Sequence, residues 1–260
     1  MCLINAILKK AVPLPDILSY DRFLFVAPHP DDIEIGAGAM AAHLASLNKE
    51  ITFLIATDGR YGTKEENTSP EMLIEIRREE QTKSAKLLGV KSVEFLSFPD
   101  GGDYDPYAMT CEIAKVICKT QAQVVFAPDF SLTTELHIDH TRVGQAAANA
   151  FIMAEAPHKT KEWGLESCNC NAIAFYYTHK PNKIYKTKKK AFDKGIEAIR
   201  LHKSQFPPEK NGENNSLKSI EVYLRLRALR FGLKRFSLYG FGFRVLGKTH
   251  AHCCPESNDF

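Results

Sequence analysis

Up to about residue 180 the chain alternates short unbroken apolar runs with longer stretches in which apolar positions recur at helical spacing. The run over 23–27, Phe-Leu-Phe-Val-Ala, is uninterrupted, as expected of a strand buried on both faces. Similar runs at 51–56, 93–98, 124–127 and 172–177 predict further strands. Between them lie helical patterns. Residues 35–47 are rich in Ala and Gly and read as a helix packed closely on a sheet. Ser69-Pro70 supplies an N-cap and a proline at N1 for a long helix that runs to Leu88 and stops at Gly89. Another helix is predicted over 107–119. A further one starts near Asp139 and carries Val143, Ala147 and Phe151 on one face. This alternation predicts an α/β, Rossmann-like fold: a mainly parallel sheet flanked by helices. In that architecture a ligand binds at the carboxyl ends of the strands.

The remainder has a different texture. Residues 188–203 form a basic amphipathic pattern, 205–216 a polar loop, and 217–231 a second helical pattern. The tail over 236–260 mixes aromatics with glycines. We therefore expect a catalytic core over 1–180 and a smaller helical or mixed C-terminal region over 181–260 that closes the site and shapes its substrate side. The Lys-rich stretch 183–194 reads as a solvated face.

Bulk composition narrows the function classes. With 260 residues, 44% hydrophobic and 25% charged, the chain has enough apolar mass for one sizeable core. Its formal charge of +3 gives no reason to expect nucleic acid as a partner. No stretch approaches the ~18 apolar residues of a membrane helix. The N-terminal apolar run precedes Lys9 and Lys10, the reverse of a secretory signal, so a cytoplasmic protein is expected. Seven scattered cysteines are not a disulfide framework and fit a reducing compartment. Cys111 and Cys118, seven apart in a helical pattern, read as core.

The chemistry stands at the predicted strand ends. Pro28-His29-Pro30-Asp31-Asp32 follows the first strand, Thr57-Asp58-Gly59-Arg60 the second and Pro99-Asp100-Gly101-Gly102 the third. Pro128-Asp129 and then His137-Ile138-Asp139-His140 follow the fourth. Four loops thus deliver acids or histidines to one edge. A catalytic metal site needs about three His, Asp or Glu ligands and an open position. His29 and Asp32 share a tight turn, while His137 and His140, three apart at a helix start, share a face. These two pairs offer more donors than the site requires. Imidazole with carboxylate suits zinc, and ferrous iron or another divalent ion is compatible. Asp31, beside a ligand, is placed to take a proton from water. The leftover histidine can stabilise an oxyanion or protonate a leaving nitrogen. The competing reading is that Asp31 or Asp32 serves only as a helix cap.

The string Val26-Ala27-Pro28-His29-Pro30-Asp31-Asp32-Ile33-Glu34-Ile35-Gly36 strongly resembles the opening motif of the LmbE-like (PIG-L) N-acetylglucosaminyl deacetylases. The similarity continues through Thr57-Asp58-Gly59, Ile76-Arg77-Arg78-Glu79-Glu80, Leu88-Gly89-Val90 and Phe98-Pro99-Asp100-Gly101. It ends with His137-Ile138-Asp139-His140, Phe175-Tyr176-Tyr177 and Leu201-His202-Lys203-Ser204-Gln205. What the resemblance implies is zinc-dependent removal of an N-acetyl group from an amino sugar or its glycoconjugate. His29, Asp32 and His140 would be the zinc ligands and Asp31 the general base. His137 would stabilise the tetrahedral intermediate or act as acid, and Asp139 would orient a neighbouring histidine. Arg77, Arg78, Asp100 and Asp58 are the expected substrate-facing groups, although half of the 77–80 charges on such a helix would only be surface pairs. One departure is Ile33, where many members have Glu; Glu34 is then expected to make a structural hydrogen bond.

Three other readings compete. An amidase on a thiol conjugate or other amide would use the same machinery. A dinucleotide-binding protein is disfavoured because no GxGxxG stands in the first turn. A non-catalytic sugar-binding scaffold would need neither Asp31 nor His137. The string His250-Ala251-His252-Cys253-Cys254 has the ligand types for a second metal cluster, but a fortuitous tail is the expectation. A homo-oligomer is expected for this kind of fold.

Overall fold

The computed structural model describes residues 3–63, 65–207, 216–252 and 254–259. Most of the loop expected over 205–216, together with Cys2 and Cys253, lies outside the described residues. In chain order the elements are α1 (Leu3–Ala11), β1 (Arg22–Ala27), α2 (Asp32–Ser46), β2 (Glu50–Thr57), α3 (Pro70–Leu88) and β3 (Ser92–Phe98). Next come α4 (Pro106–Thr120), β4 (Val124–Pro128), α5 (Ile138–Met153), α6 (Pro157–Glu162) and β5 (Ala172–Tyr176). The chain closes with β6 (Lys183–Lys186), α7 (Lys189–Ile199), α8 (Ser216–Leu233), β7 (Gly240–Gly247) and α9 (Lys248–Ala251).

Seven strands form one sheet in the order β3-β2-β1-β4-β5-β7-β6. The first five are parallel, and β7 runs antiparallel to both β5 and β6. The apolar runs of β1, β2, β4 and β5 are buried along almost their whole length because helices cover both faces of the sheet. Register places Phe25 opposite both Phe53 and Phe126. The Phe25 and Phe126 rings stack at 4.2 Å and anchor one of the two cores. The second core lies on the opposite face, under α4 and α5. α7 lies directly on α2, an approach that needs glycine: a Cβ on Gly195 would come within 2.9 Å of Ala39.

The sheet crosses the boundary expected at residue 180. β7 and β6 continue it, and Tyr185, Phe243 and Val245 belong to the same core as Phe25. Neither strand was expected. The Lys-Ile-Tyr-Lys of β6 reads as part of a charged run, and its lysines flank an edge strand, where charge discourages further pairing. The glycine-rich β7 has weak propensity of its own and takes its conformation from two partners. The N-terminal run, read only as apolar, is α1. No helix among the described residues is long and apolar enough to cross a membrane.

Strand order reverses at β1, with β2 on one side and β4 on the other. In doubly wound sheets a crevice opens at such a point, outside the carboxyl ends of the strands. The loops after β1 and β4 carry the two histidine pairs into it.

Candidate metal centre and its acid–base groups

The turn between β1 and α2 is tightly held. Thr57, at the end of β2, donates its backbone N–H (2.9 Å) and its hydroxyl (2.8 Å) to the Pro28 carbonyl. Arg77 of α3 donates to the carbonyls of Pro30 (2.7 Å) and Gly59 (2.9 Å). Asp31 sits in the left-handed region, φ 104°, a conformation that costs a non-glycine residue about 1–3 kcal/mol. Its N–H donates to Gln81 Oε1 at 3.1 Å, so α3 stabilises the turn from two sides. Asp31 takes the N-cap position of α2, yet its side chain makes no capping hydrogen bond. The capping explanation therefore fails for Asp31. Its carboxylate lies 3.5 Å from Arg77 Nη2 and lines the cavity.

Asp32 is the hub. Its Oδ2 accepts from the His29 backbone N–H at 3.1 Å and lies 3.2 Å from His29 Nδ1. Its Oδ1 lies 3.3 Å from His140 Nε2. The outer nitrogen of each imidazole is engaged elsewhere. His140 Nδ1 donates to Glu135 Oε2 at 3.0 Å, and His29 Nε2 donates to Asp100 Oδ1 and Asp139 Oδ2 at 3.1 and 3.2 Å. In the neutral tautomers assigned by these bonds, both inner nitrogens turn lone pairs toward carboxylate oxygens. Acceptors facing acceptors in a buried pocket require a proton or a cation between them. Protonation shows the same demand. Burial disfavours the His29 imidazolium, but Asp100, Asp139 and Asp32 outweigh it and raise its pKa well above the usual range. His140 is raised too, Asp32 outweighing the effect of burial. Burial likewise opposes ionisation of Asp32, yet His140 and His29 hold its carboxyl far below the ordinary range. The donor set and its excess of carboxylate fit a divalent cation.

His137 also comes within reach. Among the described residues, the donor atoms of His29, His137 and His140 lie within 4.8 Å of one another, as do those of His29, Asp100, His137 and Asp139. His137 differs from the other two histidines in being half exposed at the cavity mouth. It caps α5, its Nδ1 accepting the Asp139 N–H at 3.3 Å, which leaves Nε2–H free to donate. Burial first, then His29 and His140, lower its pKa. Burial also pushes the Asp31 carboxyl up to about 6, with Asp32 adding to the shift and Arg77 opposing it.

The other expected residues divide. Asp139 is fully buried behind His29, accepting from Gly101 N–H (2.8 Å) and Tyr104 Oη (2.9 Å). Asp100 lines the cavity and accepts the Tyr61 N–H at 3.2 Å. Arg77 lines it as well, but its guanidinium is directed to the backbone of the turn. Asp58 lies behind the wall, gripped by Arg60 Nε at 2.9 Å and accepting the Asp100 N–H at 3.3 Å. Arg78 requires a correction, because the structure does not bring it to the site. It bonds Ser97 Oγ and lies over the Phe95 ring on the β3 side, since α3 turns residue 78 about 100° away from residue 77. Glu34 makes the expected structural bonds, accepting from Gln81 Nε2 (2.7 Å) and Ser84 Oγ (2.5 Å). His250 is tied to the Val12 carbonyl and the Gly247 N–H, as a packed tail residue.

Four contributors escaped the residue-by-residue reading. Tyr177 donates its hydroxyl to the Asp32 carbonyl at 3.0 Å, and its ring stacks on His140. Its left-handed backbone, φ 55°, just past β5, turns the side chain toward the site. Glu135 fixes His140, Tyr104 fixes Asp139, and Gln81 fixes Asp31. Glu135 had a sequence signal, an acid two residues before a histidine pair, and Tyr177 stood in a matched string without an assigned role. The cavity that these groups border is open and about 500 Å³ in volume.

The chain is similar to known proteins in sequence and in fold. The family model described as GlcNAc-PI de-N-acetylase (PIG-L) matches residues 24–151, which include every histidine and carboxylate of the centre. The chain is 34% identical over 240 residues to diacetylchitobiose deacetylase from Thermococcus kodakarensis, covering 90% of this chain and 86% of that one. It is 30% identical over 166 residues to 1D-myo-inositol 2-acetamido-2-deoxy-alpha-D-glucopyranoside deacetylase from Kineococcus radiotolerans, covering 51% and 45% respectively. Among solved structures it resembles N,N'-diacetylchitobiose deacetylase from Pyrococcus horikoshii, with a TM-score of 0.84 and 32% identity, covering 100% of this chain and 98% of that one.

Proposed function

The chain belongs to the PIG-L family, and on that footing we propose that it is a metal-dependent N-deacetylase of amino sugars or their glycoconjugates. The observation that carries the proposal is the convergence of His29 Nδ1 and His140 Nε2 on the two oxygens of Asp32, each ring held from behind by a carboxylate. We assign His29, Asp32 and His140 as ligands. His137 is excluded because it stands at the exposed mouth, where a substrate arrives. Imidazole with carboxylate favours zinc, with ferrous iron as the compatible substitute. Bound there, the cation would polarise an amide carbonyl and lower the pKa of water.

The chain's own groups complete the reaction. Asp31, free of capping duty and with its carboxyl pushed up to about 6, takes the proton of the attacking water. His137 Nε2–H, directed at the cavity, donates to the oxyanion that develops on the acetamide. The proton taken up by Asp31 then passes to the leaving nitrogen as the C–N bond breaks. Asp139, with Tyr104 and Gly101 behind it, holds His29 in its tautomer. Asp100 and the Tyr61–Gly62 wall face the sugar. The similarity to diacetylchitobiose deacetylases over most of the chain supports N-acetylated amino sugars as the substrate class.

The test is metal content of tag-free protein by mass spectrometry, alongside acetate release from N,N'-diacetylchitobiose. One divalent ion per chain, lost together with activity in His140→Ala, is the expected result. A chain that binds no metal after reconstitution with zinc or ferrous iron would overturn the proposal.

A further inference from the structure

A second cavity of about 830 Å³ is lined in part by Tyr177, the residue that stacks on His140 and bonds Asp32. Its lining includes Lys180 from the β5–β6 connection, Arg227 and Arg230 on α8 and Lys234 just past the end of that helix, with no carboxylate. Arg227 and Arg230, three apart, share one face of α8, where like charges repel, and Lys234 follows just beyond the helix end. Several cations on or beside other helices are answered: Lys83 by Glu79, Lys189 by Asp193 and Arg200 by Glu221. Glu221 is the only acid in α8, and it faces Arg200 rather than the cavity. Among the described residues, none of the four cavity cations has an ion-pair partner. Arg227 and Arg230 only lean on the Phe231 ring. A concentration of cations on a concave surface, one side chain away from a reacting centre, has the chemistry of an anion site.

We propose that this cavity binds an anionic group, phosphate or carboxylate, carried by the part of the substrate beyond the N-acetylated sugar. The inference rests on the deacetylase reading and narrows its substrate class to acidic glycoconjugates. Tyr177 links the two: it stacks on His140 and bonds Asp32, and it also lines the basic cavity. The cations come from the C-terminal region, outside the residues matched by the family model. They are therefore features of substrate choice and not of the shared chemistry.

The experiment compares the wild-type metalloenzyme with R230E/K234E and R230Q/K234Q, both altered only at exposed positions. Deacetylation is followed on N,N'-diacetylchitobiose and on its 1-phosphate. The expected result is a kcat/KM on the phosphate at least about tenfold above that on the neutral sugar. In R230E/K234E that preference should disappear through KM, and in R230Q/K234Q it should shrink, with neutral turnover within about twofold in both. Equal loss on both substrates, or no change on the phosphate, would overturn the proposal. Calorimetric titration with inorganic pyrophosphate reads the cavity without turnover. Pyrophosphate that binds the wild type, competes with the phosphorylated sugar and is lost in R230E/K234E supports it. No binding overturns it. If neither sugar is turned over, the deacetylase reading fails, while the pyrophosphate titration still decides whether an anion site exists. Pyrophosphate that alters turnover of the neutral sugar would identify a free anion as effector and overturn the assignment to the substrate.

Discussion

The metal-centre cavity and the basic cavity that Tyr177 lines make opposite use of charge. On the β1 and β4 side every ionised group is answered by another: imidazoles lie between carboxylates, and carboxylates accept N–H and O–H groups. The centre asks for one small cation and is otherwise self-contained. On the α8 side four cations face a void with no counter-charge. Mutual satisfaction fixes geometry, which catalysis requires. Unsatisfied charge leaves selection to the incoming molecule. The first arrangement is built from strand ends, the most rigid part of the fold, and the second from a helix that caps the sheet late in the chain.

Four substitutions sharpen this contrast, beginning with the largest effect. Asp31→Ala removes the proposed base without touching a ligand, so turnover should fall by roughly 10²–10⁴-fold. Its metal content should remain one per chain, whereas His29→Ala loses both. Full activity in Asp31→Ala would show that the self-contained cavity does not use this carboxylate.

Tyr177→Phe comes next, since it removes the hydroxyl that steadies Asp32 while keeping the ring that stacks on His140. Groups behind metal ligands typically contribute 10–100-fold in affinity, and a loss at the lower end is expected from chelator competition. The pyrophosphate affinity of the basic cavity should not change.

Gln81→Ala leaves the Asp31 N–H without its partner and removes one of the two donors to Glu34. A cost of about 1–3 kcal/mol in stability, seen in urea melts, should accompany roughly tenfold slower turnover with metal retained. Turnover equal to wild type would mean that Arg77 alone maintains the left-handed turn. Arg78→Ala should change kcat/KM by no more than about twofold, as for an ordinary surface position. A tenfold loss there would return Arg78 to the substrate side.

Much of the core was legible because its signals are local. Residues 23–27 read as a doubly buried strand from five consecutive apolar side chains, and β1 is buried after its first residue. Ser69, Pro70 and Gly89 bound α3 as predicted, with Ser69 accepting the Met72 N–H and Gly89 at φ 89°. The β1 and β4 loops could be assigned to one edge because parallel strands send all their carboxyl ends the same way. Arg78 shows the limit of such reading: adjacent residues on a helix face different neighbours, and spacing alone does not reveal which one meets the cavity. Tyr177, Tyr104, Gln81 and β7 were obscure for a related reason. Each matters through a partner 35 to 145 residues away, and nothing in its own neighbourhood indicates that partner.

The sequence alone thus determined the α/β alternation, the catalytic edge and the residue types gathered there, because strand and helix periodicity and motif spacing are short-range properties of the chain. Tertiary structure decided which oxygen of Asp32 meets which imidazole, that Asp31 is released from capping, and that a helix from the C-terminal region lines a basic cavity beside Tyr177. Those outcomes depend on which segments are packed together and on the desolvation that packing imposes, and both are settled only when the whole chain is folded.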